Sequence, residues 1–243
     1  MEECTMKKVL MTLIAICALV ALQAAAARAA RSHQELVDQA QAEMEKICGS
    51  MLPYLERPDD ISGFKIEDED VINAYADQNG EVHFYMGMIN FFQSEDEFAA
   101  VCGHEMAHVS KEHIKKSTKT GILATVVSEV VGGTAGNIAG NLIYTKKSRS
   151  FERESDRRGL EYAWQAGFDP EAGIDLWEGM SRMGGSSGLE KYLSTHPVDS
   201  ERIQNFKVTM YRDCLEGTMT RFCEEILADP ALQQNFNDFE SRN

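Results

Sequence analysis

Basic charge is scarce in this sequence: 24 Lys and Arg stand against 39 Asp and Glu in 243 residues, a net charge of −15. Such a surface repels phosphate instead of releasing its counterions, which argues against nucleic acid as a partner and against anionic lipid headgroups. No Cys-x-x-Cys pair occurs, so thiol oxidoreductase chemistry and cysteine zinc sites both lack their ligand spacing. There is no internal repeat and no linker long enough to separate domains. The apolar run from Val9 to Leu22 is shorter than a membrane-spanning helix needs. What remains, at 43% hydrophobic and 26% charged residues, has globular composition, which excludes wholesale disorder, collagen and coiled coil.

Lys7 and Lys8 precede that apolar run, and the small-residue tract Ala24-Ala25-Ala26-Ala27-Arg28-Ala29 follows it. Basic, apolar and small residues in that order predict a secretory signal peptide over residues 1–29, cleaved after Ala27 or Ala29. Met6 is a candidate start, and the bulky Ile16 argues against a lipoprotein signal at Cys17. Residues 30–243 then form one domain, with a core at about 60–210 and a helical extension over 211–243. Of the six cysteines, Cys48, Cys102, Cys214 and Cys223 survive cleavage and allow two disulfides in three pairings. Cys214 and Cys223 are close enough to clip the C-terminal region, whereas Cys102 reads as an inert buried thiol.

From Gln34 to Leu52, Val37, Ala40, Met44, Ile47 and Met51 recur at helical spacing and predict an amphipathic helix stopped near Pro53. Val71–Ala76 and Glu81–Met86 flank Asp77-Gln78-Asn79-Gly80, a hairpin signal. Ser94 and Glu97 make a capping box that opens a helix from Phe98 to Ile114. Further helices are expected over Ser150–Ala166, from Asp169-Pro170 onward, and over Asp199–Met210, with a flexible loop at Gly184–Gly188.

Within the Phe98 helix lies His104-Glu105-Met106-Ala107-His108, an H-E-x-x-H motif. Spacing of four sets both imidazoles one turn apart on the same face, where both reach one tetrahedral zinc ion. Glu105 falls beside the metal, placed to take a proton from water. Zinc then needs a third ligand, and the residues leave three candidates open. No histidine stands at H-x-x-G-x-x-H spacing; His113, five residues on, points elsewhere on a continuous helix and reads as solvated. Glu152, in Phe151-Glu152-Arg153-Glu154-Ser155-Asp156, shares a face with Asp156 while Glu154 points away. Asp156 would then accept the free ring N–H of a ligating histidine and fix its tautomer. His196, in Ser194-Thr195-His196-Pro197, is the third.

These pieces together resemble the zinc metallopeptidase family of the CAAX prenyl proteases, HtpX, BepA, LoiP and YcaL. The resemblance runs from about Val71 to Phe206 through Asn73-Ala74-Tyr75-Ala76, HEMAH, Ser148–Gly159 and Thr195-His196-Pro197 followed by Arg202. It implies an α+β, mostly helical, gluzincin-like domain with a small β-hairpin or sheet beside the active-site helix. It also implies one zinc ion held by His104, His108 and Glu152, Glu105 as the catalytic base, and Asp156 behind the ligands. Ser155 stands where the family usually has Ala, with little consequence expected. The resemblance, to BepA in particular, implies that His196 approaches the zinc as an inhibitory fourth ligand or aids the transition state; the alternative reading is that His196-Pro197 only shapes a loop and caps the next helix. Arg202 reads equally well as reaching the site or as a salt-bridged surface residue.

The expectation is an exported, periplasmic zinc metalloendopeptidase, with membrane association open, acting on unfolded or misassembled envelope proteins as quality control. An extended substrate would add to Glu81–Met86 as an edge strand. The rival reading is a periplasmic chaperone or assembly factor for outer-membrane proteins with little proteolysis. Gly121–Tyr144 is apolar, with Gly132, Gly136 and Gly140 at four-residue spacing. Glu129, Asn137 and Asn141 make it costly to insert in a bilayer. It is expected to be a helical hairpin or loop covering the zinc cleft, or a contact for the outer membrane or its assembly machinery.

Overall fold

A computed structural model describes Gln23 and residues 32–131, 133–184, 188–198, 200–219 and 222–241. Apart from Gln23, the expected signal segment lies outside the described residues, as does the middle of the Gly184–Gly188 loop. Helix α1 covers residues 32–51 and buries Ala40, Met44, Ile47 and Met51 of the stripe its sequence spacing predicts, with Val37 partly buried and Cys48 joining them. Pro53 lies in the 3-10 turn Leu52–Tyr54 that follows.

Three short strands come next: β1 (Gly63–Glu67), β2 (Ala74–Ala76) and β3 (Glu81–Tyr85). β2 and β3 are the expected antiparallel hairpin, with Tyr75 opposite His83. The Asp77 carboxylate accepts hydrogen bonds from the backbone N–H groups of Asn79 and Glu81. Gly80, at φ 87°, supplies the left-handed residue of the turn. β1 runs parallel to β3, Lys65 opposite His83, and no hairpin signal announces it because its partner is distant in sequence. The sheet order is therefore β1-β3-β2. This corrects the expected edge strand: β3 is central and hydrogen-bonded on both sides, so no substrate can add there. Met86 has already left the sheet for the single-turn helix α2 (Met86–Ile89).

Helix α3 (Glu95–Ser110) begins as the capping box predicts, with Ser94 Oγ accepting from the Glu97 N–H at 3.2 Å. Every residue from Phe98 to Ala107 is buried, so α3 is packed on all sides. It does not continue to Ile114. The chain breaks at Lys111-Glu112, where Glu112 takes a left-handed φ of 56°, and α4 (His113–Val131) starts in a new direction. α4 and α5 (Gly133–Ala166) pack together as a helical hairpin, the first of the forms expected for Gly121–Tyr144. No described helix is long and apolar enough to cross a membrane.

α6 (Pro170–Met183) is capped by Asp169, and α7 (Glu190–Thr195), α8 (Ser200–Leu215), α9 (Cys223–Ala228) and α10 (Pro230–Glu240) complete the chain. One apolar core joins α1, the inner sheet face, α3 and α6. A second gathers Leu160, Trp164, Phe206, Met210, Ile226 and Leu232 around α8. The architecture is thus α+β and mostly helical. Cys214 bonds Cys223. Cys48 bonds Cys102, which corrects the free-thiol reading and ties α1 to α3 two residues before His104.

Candidate metal centre

The centre is built where α3 crosses α5. A Cβ on Gly103 would lie 2.6 Å from the Gly159 carbonyl oxygen, and one on Gly159 would lie 2.6 Å from the His104 nitrogen. The two backbones therefore touch, which only glycine at both positions permits. Contact at that point brings the acidic face of α5 directly over the histidine face of α3.

His104 Nε2 and His108 Nε2 are 3.1 Å apart. Glu152 reaches both, with Oε2 at 3.4 Å from His104 Nε2 and Oε1 at 3.4 Å from His108 Nε2. His196, at the end of α7, sets Nδ1 at 3.3 Å from His104 Nε2 and 3.2 Å from Glu152 Oε2. Ligands held about 2.1 Å from a tetrahedral zinc ion stand about 3.4 Å from one another. The observed separations match that spacing, and this is the one group of such donors among the described residues. All four residues are buried or nearly so, and imidazole and carboxylate donors suit a divalent metal ion.

Around these donors sits a layer of charge. Asp156 Oδ1 lies 3.0 Å from His104 Nδ1. Arg202, from α8, donates to both Asp156 oxygens at 2.8 and 2.6 Å and to the Pro197 carbonyl at 2.7 Å. Its Nη1 also lies 3.3 Å from Glu152 Oε2. Arg202 is only 5% exposed, so it belongs to the site and not to the surface. His196 stacks on the ring of Tyr192. Its Nε2 is 3.5 Å from Glu105 Oε1, a buried oxygen with no hydrogen-bond partner among the described residues.

Burial and charge oppose each other here. Burial disfavours the His104 imidazolium, yet Asp156 and Glu152 outweigh it and hold the pKa up at about 9. His108 is pushed well below its ordinary value by burial and by its neighbour His104. Burial raises both carboxyl pKa values, but His104 and His196 hold Glu152 far down, and Arg202 and His104 hold Asp156 below its ordinary value.

Beside the donors opens a cavity of about 570 Å³. Glu105, His108, Glu152 and His196 face it, with Tyr75 and Ala76 of β2 forming one side. Ser117, Thr118 and Gly121 of α4 line another side, so the base of the helical hairpin walls the cavity.

The structure thus brings together every residue that the sequence singled out: His104, Glu105, His108, Glu152, Asp156 and His196. Two readings change. His113 is not solvated but 1% exposed, because the break at Glu112 turns it back toward His108. Glu154 does point away from the metal donors, yet it meets His113. The Gly103/Gly159 contact went unread; its signal was a glycine immediately before the first histidine and another three residues after Asp156.

A sequence profile of peptidase family M48 matches residues 38–209. Mitochondrial metalloendopeptidase OMA1 of Arabidopsis thaliana is 31% identical over 142 residues, covering 56% of this chain and 29% of that protein. Metalloprotease LoiP of Escherichia coli (strain K12) is 27% identical over 154 residues, 58% of this chain and 60% of its own length. The beta-barrel assembly-enhancing protease of Yersinia pestis is 25% identical over 163 residues, 58% of this chain and 33% of its own length. The chain therefore spans between about a third and three-fifths of the relatives it matches. It belongs to peptidase family M48.

Proposed function

We propose that this member of peptidase family M48 is a zinc-dependent metalloendopeptidase, with His104, His108 and Glu152 as the metal ligands and Glu105 as the general base. The observation that carries the reading is the convergence of His104, His108, Glu152 and His196 donors beside a cavity that Glu105 also lines, with a Glu105 oxygen that has no hydrogen-bond partner among the described residues. Zinc, when held there, would polarise the scissile carbonyl and acidify a water molecule. Glu105 takes the proton of the attacking water and delivers it to the leaving amine. Asp156 fixes the His104 ring from behind, and Arg202 neutralises the two carboxylates that would otherwise repel each other.

His196 has one ring nitrogen among the metal donors and the other beside Glu105. In this reading it is a fourth donor that keeps the site latent until substrate displaces it. The substrate would be an extended chain laid along β2, whose outer edge carries no partner strand among the described residues and whose Tyr75 and Ala76 face the cavity. Main-chain pairing tolerates many sequences, which suits unfolded or misassembled envelope proteins in the periplasm. A relative named as a beta-barrel assembly-enhancing protease supports a second reading, an assembly factor for outer-membrane proteins that seldom cuts.

One experiment separates these readings: zinc content and hydrolysis of an unfolded protein substrate, measured on the parent chain, Glu105→Gln, Glu152→Gln and His196→Ala. About one zinc per parent chain is expected. Glu152→Gln should lose it, and Glu105→Gln should keep it while hydrolysis falls at least about a hundredfold. His196→Ala should bind zinc less tightly and cleave faster. A well-folded parent that takes up no zinc would sink the metallopeptidase reading. A zinc-loaded parent that never cleaves, even as His196→Ala, would favour the assembly factor.

A further inference from the structure

His113 is placed by an unusual piece of backbone. Five residues after His108 on an unbroken helix it would face about 140° away. Instead Glu112 adopts φ 56°, a conformation that is strained for a residue with a side chain. Arg57 holds it there, with Nη1 2.7 Å from Glu112 Oε2. The turn swings His113 inward until its Nδ1 lies 3.3 Å from His108 Nδ1 and 3.1 Å from Ser155 Oγ. Phe151 stacks on the ring at 4.4 Å. On its outer side, His113 Nε2 lies 3.2 Å from Glu154 Oε2.

Two facing imidazole nitrogens bond only if one carries a hydrogen and the other does not. His108 presents Nε2 to the metal donors, and a ligating nitrogen must be bare, so its proton belongs on Nδ1. His113 Nδ1 is then the acceptor, and the His113 proton sits on Nε2, where the Glu154 carboxylate accepts it. Were the proton on His113 Nδ1, His108 Nδ1 would become the acceptor and Nε2 would be blocked by hydrogen. The bare His113 Nδ1 has one lone pair, so in the first arrangement His108 donates to it and the Ser155 hydroxyl, 3.1 Å away, turns its hydrogen elsewhere.

We infer that His113 and Glu154 form an outer relay that fixes His108 in the tautomer able to bind metal. It does for His108 what Asp156 does for His104. Each acid of the Glu152, Glu154, Asp156 series then has its own part. Glu152 faces the metal, Asp156 orients His104 directly, and Glu154 orients His108 through His113. His113 and Glu154 are positioning residues, and the inference rests on the metallopeptidase reading above.

The test uses the full chain labelled with ¹⁵N-histidine and loaded with zinc. Long-range proton–nitrogen spectra of the parent should show His113 protonated on Nε2 and His108 on Nδ1. Zinc affinity, measured by chelator competition, should weaken about tenfold in Glu154→Ala and at least as much in His113→Ala. The double variant should be no weaker than His113→Ala alone, because both act through one path. Glu154→Gln, which retains a carbonyl acceptor, should recover most of the loss. A proton on His113 Nδ1 in the loaded parent, or affinities within about twofold of the parent in Glu154→Ala, would overturn the relay alone. A parent that binds no zinc overturns the metallopeptidase reading and the relay with it. Should His113→Ala not fold, Glu154→Ala at a side chain 42% exposed and the parent's tautomers still decide the question.

Discussion

Glu56, in the loop between α1 and β1, gathers four groups from the helices around the site. Its carboxylate takes Lys111 Nζ at 2.6 Å, Ser110 Oγ at 3.2 Å, Arg158 Nε at 3.2 Å and the Tyr162 hydroxyl. Partial burial works against ionisation, but these donors prevail and hold the pKa at about 2, below its ordinary 4.5. A carboxyl with a depressed folded pKa stabilises fully above its unfolded pKa and loses that contribution as pH falls toward the folded value. Glu56→Gln should therefore lower Tm at pH 7, and the gap from the parent should close between about pH 4.5 and pH 2. The side chain is 36% exposed, so screening limits the loss to about 1 kcal/mol, or about 2–4 °C in a thermal scan. At this scale the sequence was legible where spacing alone decides the outcome. His104 and His108 share a face in any α-helix. Arg202 and His113 were not legible, because which groups a long or displaced side chain meets depends on a helix break and a distant helix.

At the scale of elements, the decisive contact is the α3–α5 crossing at Gly103 and Gly159. Gly159→Ala would drive a methyl group into the His104 backbone nitrogen and force the helices apart. Overpacking of this kind costs about 1–3 kcal/mol, and Glu152 and Asp156 ride on the helix that must move. The expected outcome is a lower Tm together with weaker zinc binding, read by calorimetry and chelator competition. Gly179→Ala, on α6 with open space at its Cβ, should leave both unchanged or raise Tm slightly. α1, the start of α3 and the β2–β3 turn could be read from the sequence, since stripe, cap and turn chemistry are local. β1 could not, and without it the sheet edge was misplaced. A parallel partner that precedes the hairpin leaves no mark in the hairpin itself.

At the scale of the molecule, two disulfides among the described residues brace different parts. Cys48–Cys102 closes a loop with a sequence separation of 54 and Cys214–Cys223 one of 9. Through the loop entropy they remove from the unfolded chain, they contribute about 4 and about 3 kcal/mol. Replacing Cys48 and Cys102 together by Ala should lower Tm more than replacing Cys214 and Cys223, and should weaken zinc binding as well. The first pair anchors α3 beside His104, whereas the second sits against the outer core of α8 and α9. Equal losses of stability and of metal from the two pairs would contradict this division of labour.

The sequence by itself determined the chemistry: which residues are competent to hold a metal ion, that two of them share a helical turn, and that an acid beside them can move a proton. These follow from side-chain type and helical period, which no surrounding fold alters. The tertiary structure alone decided which third and fourth donors converge, which strand has a free edge, and where His113 and Arg202 point. Each of those depends on the meeting of segments far apart in the chain. Such meetings are set by a pair of glycines, one left-handed residue and the packing of the whole core, and not by any local pattern.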